Sequence, residues 1–383
     1  MEKDKCMTSE ESMRLDRILG CMAGGAVGDA LGNPVEFMDI HSIRKRYGKQ
    51  GIIRYERDDA GMAVITDDTQ MSLFTANGLL YGCTQEAMNN SSTKTIRNYI
   101  AGAYLEWYET QTGKKKTYKA CWIRVIPELN NRRAPGSTCM MSLQSIHKGK
   151  DVMNNSKGCG GVMRVAPIAL YPYQKDGSAQ SAQEIAHIGA EAAEITHKHL
   201  LAIYPSAMLV HLIYRIINNP PDTITLEEIV EEALVVHAKD YPLVADYMKD
   251  LVYQAIQFSK EDTDDVIAIE KIGGGWTGDE AYAIAVYCAL KYRNDFEKAV
   301  VAAVNHTGDS DSTGAITGNI MGALLGRKAI PCYYLENLEL LPVIEELAHD
   351  LFTGCIISKN DPIDMSEKQC WYRKYVKVNT RDI

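Results

Sequence analysis

The chain lacks several features that would settle its class early. It has no stretch of about 18 to 20 uninterrupted apolar residues, the length an α-helical membrane span requires. Its opening, MEKDKCMTSEESMRLDRILG, mixes charges and carries no apolar stretch ahead of a cleavage site, so no secretory leader is expected. No two of the ten cysteines form a C-x-x-C, and they read as reduced thiols of a cytoplasmic protein. Positive charge is not in excess. Lys and Arg number 41 against 50 Asp and Glu, a net charge of −9, which disfavours a nucleic-acid partner gripped through its phosphates. A membrane partner is not expected either. No repeat with a period of about 20 to 50 residues is present, and no Ser/Gly/Pro linker divides the 383 residues.

Strand signals are also scarce. GIIRY at 51–55, MAVI at 62–65 and WYRKYVKV at 371–378 are the strand-like stretches, and no alternating strand–helix units occur. Apolar residues recur every three or four positions over 10–31, 68–82, 96–110, 137–148, 181–217, 226–238, 244–259, 279–292, 295–305, 311–327 and 341–354. Glu227 and Glu228 follow Thr225 as a helix start prefers, and Asn218 to Pro221 stop the long helix before it. The expected class is all-α. The lysine-rich run at 114–119 reads as a solvated loop.

Two glycine series stand out. Gly20, Gly24, Gly28 and Gly32 lie four apart, and so do Gly314, Gly318, Gly322 and Gly326. Residues four apart share a helical face, so each helix would carry a strip without side chains. Each interior glycine costs about 1 kcal/mol against alanine, which implies a backbone that must come very close to something. The two ridges are therefore expected to pack on each other or on a shared neighbour. Either arrangement ties together distant parts of the chain and favours one domain over 1–383. Its motif-bearing core covers about 17–327, and 328–383 completes the bundle.

Two helices begin with clustered oxygen donors: Thr66-Asp67-Asp68-Thr69, and Asp309-Ser310-Asp311-Ser312-Thr313. Ordinary caps explain one oxygen at each start. Several adjacent carboxylates need a cation or shared protons to offset their repulsion. Hard oxygen ligands without histidine or thiolate select Mg²⁺, Mn²⁺ or Ca²⁺, and two clusters suit a paired-metal centre. Glu36, just past the first glycine helix, could add a ligand or a general base.

In the order GCMAGGAVGDALGNPVEF, ITDDTQMSL, GCGGVMRVAPIAL, ITHKH, GGGWTGDEA and NHTGDSDSTGAITGNIMGALLG, these segments resemble the ADP-ribosylglycohydrolase family. The resemblance implies a compact orthogonal helical bundle and a site for two Mg²⁺ (or Mn²⁺) ions. By the same resemblance Thr66, Asp67, Asp68, Asp309, Asp311 and Ser312 are metal ligands, and Glu36, Asp67 and Asp311 carry the catalytic chemistry. The implied activity is hydrolysis of the glycosidic bond between ADP-ribose and an acceptor, either a protein side chain or a small molecule. A non-catalytic ADP-ribose-binding protein is the alternative. Gly158, Gly160 and Gly161 are expected at the pyrophosphate, with His197 and Trp276 also contributing to substrate binding. Family members often carry Asn where Cys159 stands. The extra aspartate that serves arginine-directed relatives has no counterpart between 120 and 140. A monomer is the default oligomeric expectation.

Overall fold

A computed structural model describes residues 7–88, 95–114, 119–175, 178–220, 223–358 and 366–378. Most of the lysine-rich run, 115–118, lies outside the described residues. Among the described residues α-helices carry the architecture. The one sheet is a two-stranded antiparallel hairpin, Gln174–Lys175 with Ser178–Ala179. The expected all-α class holds.

Local chemistry sets the helix starts. The helix Ser9–Gly32 is capped by Thr8, whose hydroxyl accepts from the Glu11 N–H at 3.1 Å while the Glu11 carboxylate accepts from the Thr8 N–H at 2.8 Å. Thr225 and Glu228 form the same reciprocal cap on Leu226–Ala238. Each cap satisfies two backbone donors that the helix itself cannot.

The glycine ridges meet each other. A methyl group added at Gly20, Gly24 or Gly28 would collide with the carbonyl oxygen of Gly322, Gly318 or Gly314, and the collisions are reciprocal. This register makes Ser9–Gly32 and Ser310–Leu325 antiparallel, in backbone-to-backbone contact along three turns. One turn further, Gly32 abuts Ser310 and Asp311. The end of the first helix therefore lies on the start of the second, and both elements deliver their polar residues to one place.

The periodicity over 181–217 corresponds to two helices, Ala182–Glu194 and Leu200–Asn218. The break falls at 195–199, where the His199 ring accepts the Leu201 N–H at 3.0 Å and begins the second helix. His197 thus lies in a turn and not within a continuous helix. Leu200–Asn218 is long and apolar enough to pass for a membrane span, but 89% of its apolar window is buried inside the protein. A helix apolar all round is at home in the core of a large protein.

The strand-like stretches resolve differently from expectation. Residues 51–55 join no sheet, because the Asn305 side-chain amide takes both backbone groups of Ile52, at 2.7 and 2.9 Å. In 62–65 a single bridge joins Ala63 to Leu338. Within 371–378 the chain is helical through Tyr375, as part of Ser366–Tyr375. Trp371 and Tyr375, four apart and both buried, suit a helical face as well as they suit strand alternation.

The glycines offer a matched test. Gly24→Ala, blocked by the backbone of Gly318, should cost at least about 2 kcal/mol in urea unfolding, as overpacking does. At Gly102, inside the helix Ile96–Thr112, an added methyl meets nothing within 4 Å. Gly102→Ala should gain up to about 1 kcal/mol. Equal effects at the two positions would contradict the close-contact account.

Candidate active site

Asp29, one residue past Gly28, turns off the glycine face toward the helix Asp67–Met88. It is wholly buried, and its carboxylate accepts the Thr66 N–H at 3.0 Å, the Thr69 N–H at 3.1 Å and the Thr69 hydroxyl. Burial pushes Asp29 up to about 6 despite those hydrogen bonds. Asp29 thus satisfies donors at the start of the TDDT helix and leaves Asp67 and Asp68 for other work. Thr66 helps in the same way, its hydroxyl accepting the Asp68 N–H at 3.2 Å.

Asp67 is fixed from the side. Its Oδ2 accepts the Gly136 N–H at 3.1 Å and its own N–H donates to the Arg133 carbonyl at 3.0 Å. Arg133 is held by Glu339 at 2.6 Å, and the other oxygen of Glu339 accepts the Ile65 N–H. Asp68 is buried, and its Oδ2 has no hydrogen-bond partner. Buried oxygens are rarely left so, and an orphaned carboxylate oxygen calls for a cation or a proton.

The second cluster stands opposite. Asp309 caps Ser310–Leu325, and its N–H donates to the Gly274 carbonyl at 2.8 Å, locking the GGGW loop onto the helix start. The Ser312 N–H reaches Asp309 Oδ1 at 3.3 Å and Asp311 Oδ1 at 2.9 Å. After Gly32, the short 3₁₀ turn Asn33–Val35 redirects the chain, and half-buried Glu36 comes back toward these residues. Glu36, Asp309 and Asp311 each offer an oxygen within 4.8 Å of the others.

The electrostatics follow from this crowding. Burial, then the charges of Asp309, Asp67 and Asp29, raise Glu36 to about 8. Burial, with help from Asp29 and Asp309, raises Asp67 to about 7. Burial, then the charges of Asp29, Asp67 and Asp309, holds Asp68 well above the carboxylate range; burial, then Asp68, Asp309 and Glu36, does the same to Asp311, and burial raises Asp309 too. So many raised carboxyls close together carry a penalty that the charge of a bound cation would reverse. The donors are carboxylate and hydroxyl oxygens, the set that hard divalent ions such as Mg²⁺ or Mn²⁺ prefer. Thr66, Asp67, Asp68, Asp309, Asp311 and Ser312 fit such ions.

The glycine loop 158–161 borders the second cluster. The Cys159 thiol donates to Asp309 Oδ2 at 2.7 Å and lies 3.5 Å from the Ser312 hydroxyl. Two of the loop's N–H groups are engaged within the protein, Gly158 with the Ser156 hydroxyl and Cys159 with the Trp276 carbonyl. His197 lies behind the loop. It is 2% exposed, its Nδ1 is 2.9 Å from the Thr196 hydroxyl, and methyls at Gly158 or Gly160 would meet its ring at 3.1 Å. Burial holds its imidazole down at about 3, so it stays neutral. Trp276, 44% exposed, stacks on Phe37 with ring centroids 5.7 Å apart, next to Glu36.

A family model described as ADP-ribosylglycohydrolase matches residues 10–360. The chain belongs to the ADP-ribosylglycohydrolase family. It is 29% identical over 343 residues to an uncharacterized protein of Archaeoglobus fulgidus, covering 88% of this chain and 96% of the relative. It is 25% identical to the ADP-ribosyl-[dinitrogen reductase] glycohydrolase of Rhodospirillum rubrum, over 85% of this chain and 91% of that one. Human ADP-ribosylhydrolase ARH3 is 23% identical over 88% and 93% of the two chains. A solved structure titled ADP-ribosylglycohydrolase-related protein complex shares the helical fold. Its TM-score is 0.57 at 23% identity, over 89% of this chain and 99% of that one.

Asp29 is not among the site residues expected from the sequence, where its charge only argues against a membrane-type glycine helix. An ionisable side chain inside a glycine ridge was the available signal, since burial of such a group needs a partner. Phe37 and the Gly274 carbonyl carried no signal of their own. Replacing Asp29 by Ala would leave three buried donors unpaired, each worth about 1–3 kcal/mol. The expected outcome in urea unfolding is a loss of more than about 3 kcal/mol, with a smaller loss for Asp29→Asn. Wild-type stability in Asp29→Ala would refute the capping role.

Proposed function

We propose that this ADP-ribosylglycohydrolase-family chain is a binuclear metal-dependent hydrolase that cleaves the glycosidic bond joining ADP-ribose to an acceptor. The observation that carries the reading is the meeting of two helix starts: Asp68, with an orphaned oxygen, and Asp67 from one act on Asp309 and Asp311 of the other, and Glu36 lies within 4.8 Å of the latter pair. The names of the Rhodospirillum rubrum and human relatives support the reaction class. Thr66, Asp67, Asp68, Asp309, Asp311 and Ser312 would hold two Mg²⁺ or Mn²⁺ ions. When bound, such ions supply Lewis-acid polarisation of hydroxyl oxygens on the substrate ribose and on water.

The remaining work belongs to the protein. Glu36 is half-buried beside the cluster, and cations that offset the neighbouring carboxylate charges would leave its carboxylate ionised and able to accept a proton. It is the group assigned to accept the proton of the attacking water. Asp67 and Asp311 are oriented by backbone N–H groups of Gly136 and Ser312, so their free oxygens keep a fixed direction. Such preorganisation avoids reorganisation during the reaction. The loop Gly158–Gly161 lines the side where a pyrophosphate would lie, with Gly160 and Gly161 the assigned contacts. His197 acts as a positioning residue that supports that loop from behind. Trp276, braced by Phe37, presents an aromatic face to the adenosine or ribose.

The test is release of free ADP-ribose from a panel of arginine-, serine- and acetyl-linked conjugates, with Mg²⁺ and with EDTA. Metal-dependent release from at least one member is expected. Asp309→Ala combined with Asp311→Ala should abolish it while the helical circular dichroism stays unchanged. Full turnover in that variant or in EDTA would overturn the proposal. Tight ADP-ribose binding with no turnover on any linkage would instead favour a binding protein on this scaffold.

A further inference from the structure

One wholly buried cation has no anion beside it. Arg164, shortly after the glycine loop, is 0% exposed and pairs with no carboxylate among the described residues. Its Nη1 donates to the sulfurs of Cys139 at 3.3 Å and Met71 at 3.5 Å. Its Nη2 donates to the Ala192 carbonyl at 3.2 Å and to the Thr196 hydroxyl at 2.6 Å. The guanidinium also lies over the Tyr104 ring, 4.3 Å from its centroid, and Nε has no partner. Sulfur, carbonyl and ring faces offset a buried charge only in part. Met71 belongs to the TDDT helix, one turn past Asp67, while Thr196 precedes His197, so Arg164 ties together two elements that border the site.

These bonds have a fixed polarity. A guanidinium only donates, so the Thr196 oxygen accepts from Nη2 and has one proton of its own to give. His197 Nδ1 lies 2.9 Å away. The Cys139 sulfur is also beside the hydroxyl, but it is the weaker acceptor and already takes Nη1. The hydroxyl proton therefore goes to Nδ1. Burial keeps the imidazole neutral, which leaves its single ring proton on Nε2. That nitrogen faces the glycine loop, where methyl groups at Gly158 and Gly160 would stand 3.1 and 3.4 Å from it. Among the described residues no acceptor meets this N–H.

We propose that Arg164 and Thr196 are positioning residues that hold His197 in its Nε2–H tautomer, so that the glycine loop is backed by a donor directed at the substrate's diphosphate. The diphosphate role rests on the substrate proposed above; the tautomer does not. Hydrogen bonds aligned in one direction polarise one another, and here the positive end of the series, begun at Arg164, is turned toward the loop. The diphosphate is then the anion that the buried guanidinium lacks within the protein. The opposite tautomer would turn a lone pair toward the same anion and repel it. Glycine at 158 and 160 fits this role as well as the tight packing, since a side chain at either position would cover the Nε2 edge of the ring.

Nitrogen-15 spectra of the full chain labelled at histidine distinguish the two ring nitrogens, and His197 is assigned by the signal lost in His197→Gln. The wild type is expected to carry its proton on Nε2. Thr196→Val keeps the side-chain shape without the hydroxyl. It should give a mixture of tautomers, weaken ADP-ribose binding in calorimetry with Mg²⁺ at least about tenfold, and raise KM more than it lowers kcat. Thr196→Ser loses a methyl group but keeps the hydroxyl, and should retain both the tautomer and the affinity. Arg164→Met should shift the tautomer as Thr196→Val does; if it does not fold, the two Thr196 variants carry the test. A proton on Nδ1 in the wild type, undiminished affinity in Thr196→Val, or equal losses in the Val and Ser variants would each contradict the relay. A wild type that binds no ADP-ribose would count against the function proposed above and the diphosphate role together, whereas the ring spectrum still decides whether Thr196 sets the tautomer.

Discussion

Everything in the site depends on backbone touching backbone. Helices with ordinary side chains pack with axes about 8–10 Å apart. At the glycine ridges no side chain intervenes, and the carbonyls of Gly314, Gly318 and Gly322 occupy the places where methyl groups of Gly28, Gly24 and Gly20 would stand. Such contact fixes three things together: the antiparallel direction, the register to within one residue, and the distance. A shift of one position would set side chains such as Leu19, Ala23 and Val27, or Thr317 and Met321, against a backbone with no space for them. The site inherits that accuracy, because Gly32 rests on Ser310 and Asp311 at the end of the same seam.

Held this firmly, the carboxylates can be crowded beyond what they would tolerate alone. Asp29 is the exception that makes the rest workable. It takes its hydrogen bonds from Thr66 and Thr69, so the first turn of the TDDT helix needs no capping from Asp67 or Asp68. The other acids face one another with raised affinities for protons, and proton affinity of this kind is also affinity for divalent cations. Rigidity and electrostatic strain are two aspects of one arrangement. A softer scaffold would relax by moving the carboxylates apart.

Much of this was legible in the sequence, and for physical reasons. A four-residue glycine spacing has few uses other than close helix contact, and it announced the seam. Clustered acids at two helix starts exceed what capping requires, and they announced the centre. What stayed hidden was partnership across the fold. The split of 181–217 rests on His199 capping a new helix, which periodicity cannot reveal because apolar residues continue through the break. Residues 51–55 look like a strand, yet the backbone groups of Ile52 are met by the Asn305 amide from about 250 positions away. His197 looked like a residue facing substrate, whereas its ring supports a loop whose glycines leave it just enough room.

The seam also has a meaning in time. Its two halves lie nearly 300 residues apart, among the most non-local contacts a chain of this length can make. Ribosomes add about 5–20 residues per second, so the first helix emerges and then waits roughly 15 to 60 seconds for its partner. During that interval its bare glycine face has nothing to pack against, and Asp29 has no threonines to serve. No partial chain ending before the second ridge can assemble the acidic centre. Chemistry is thereby withheld until the second ridge has been made, and a nascent chain stalled between the two ridges lacks half of the acidic centre.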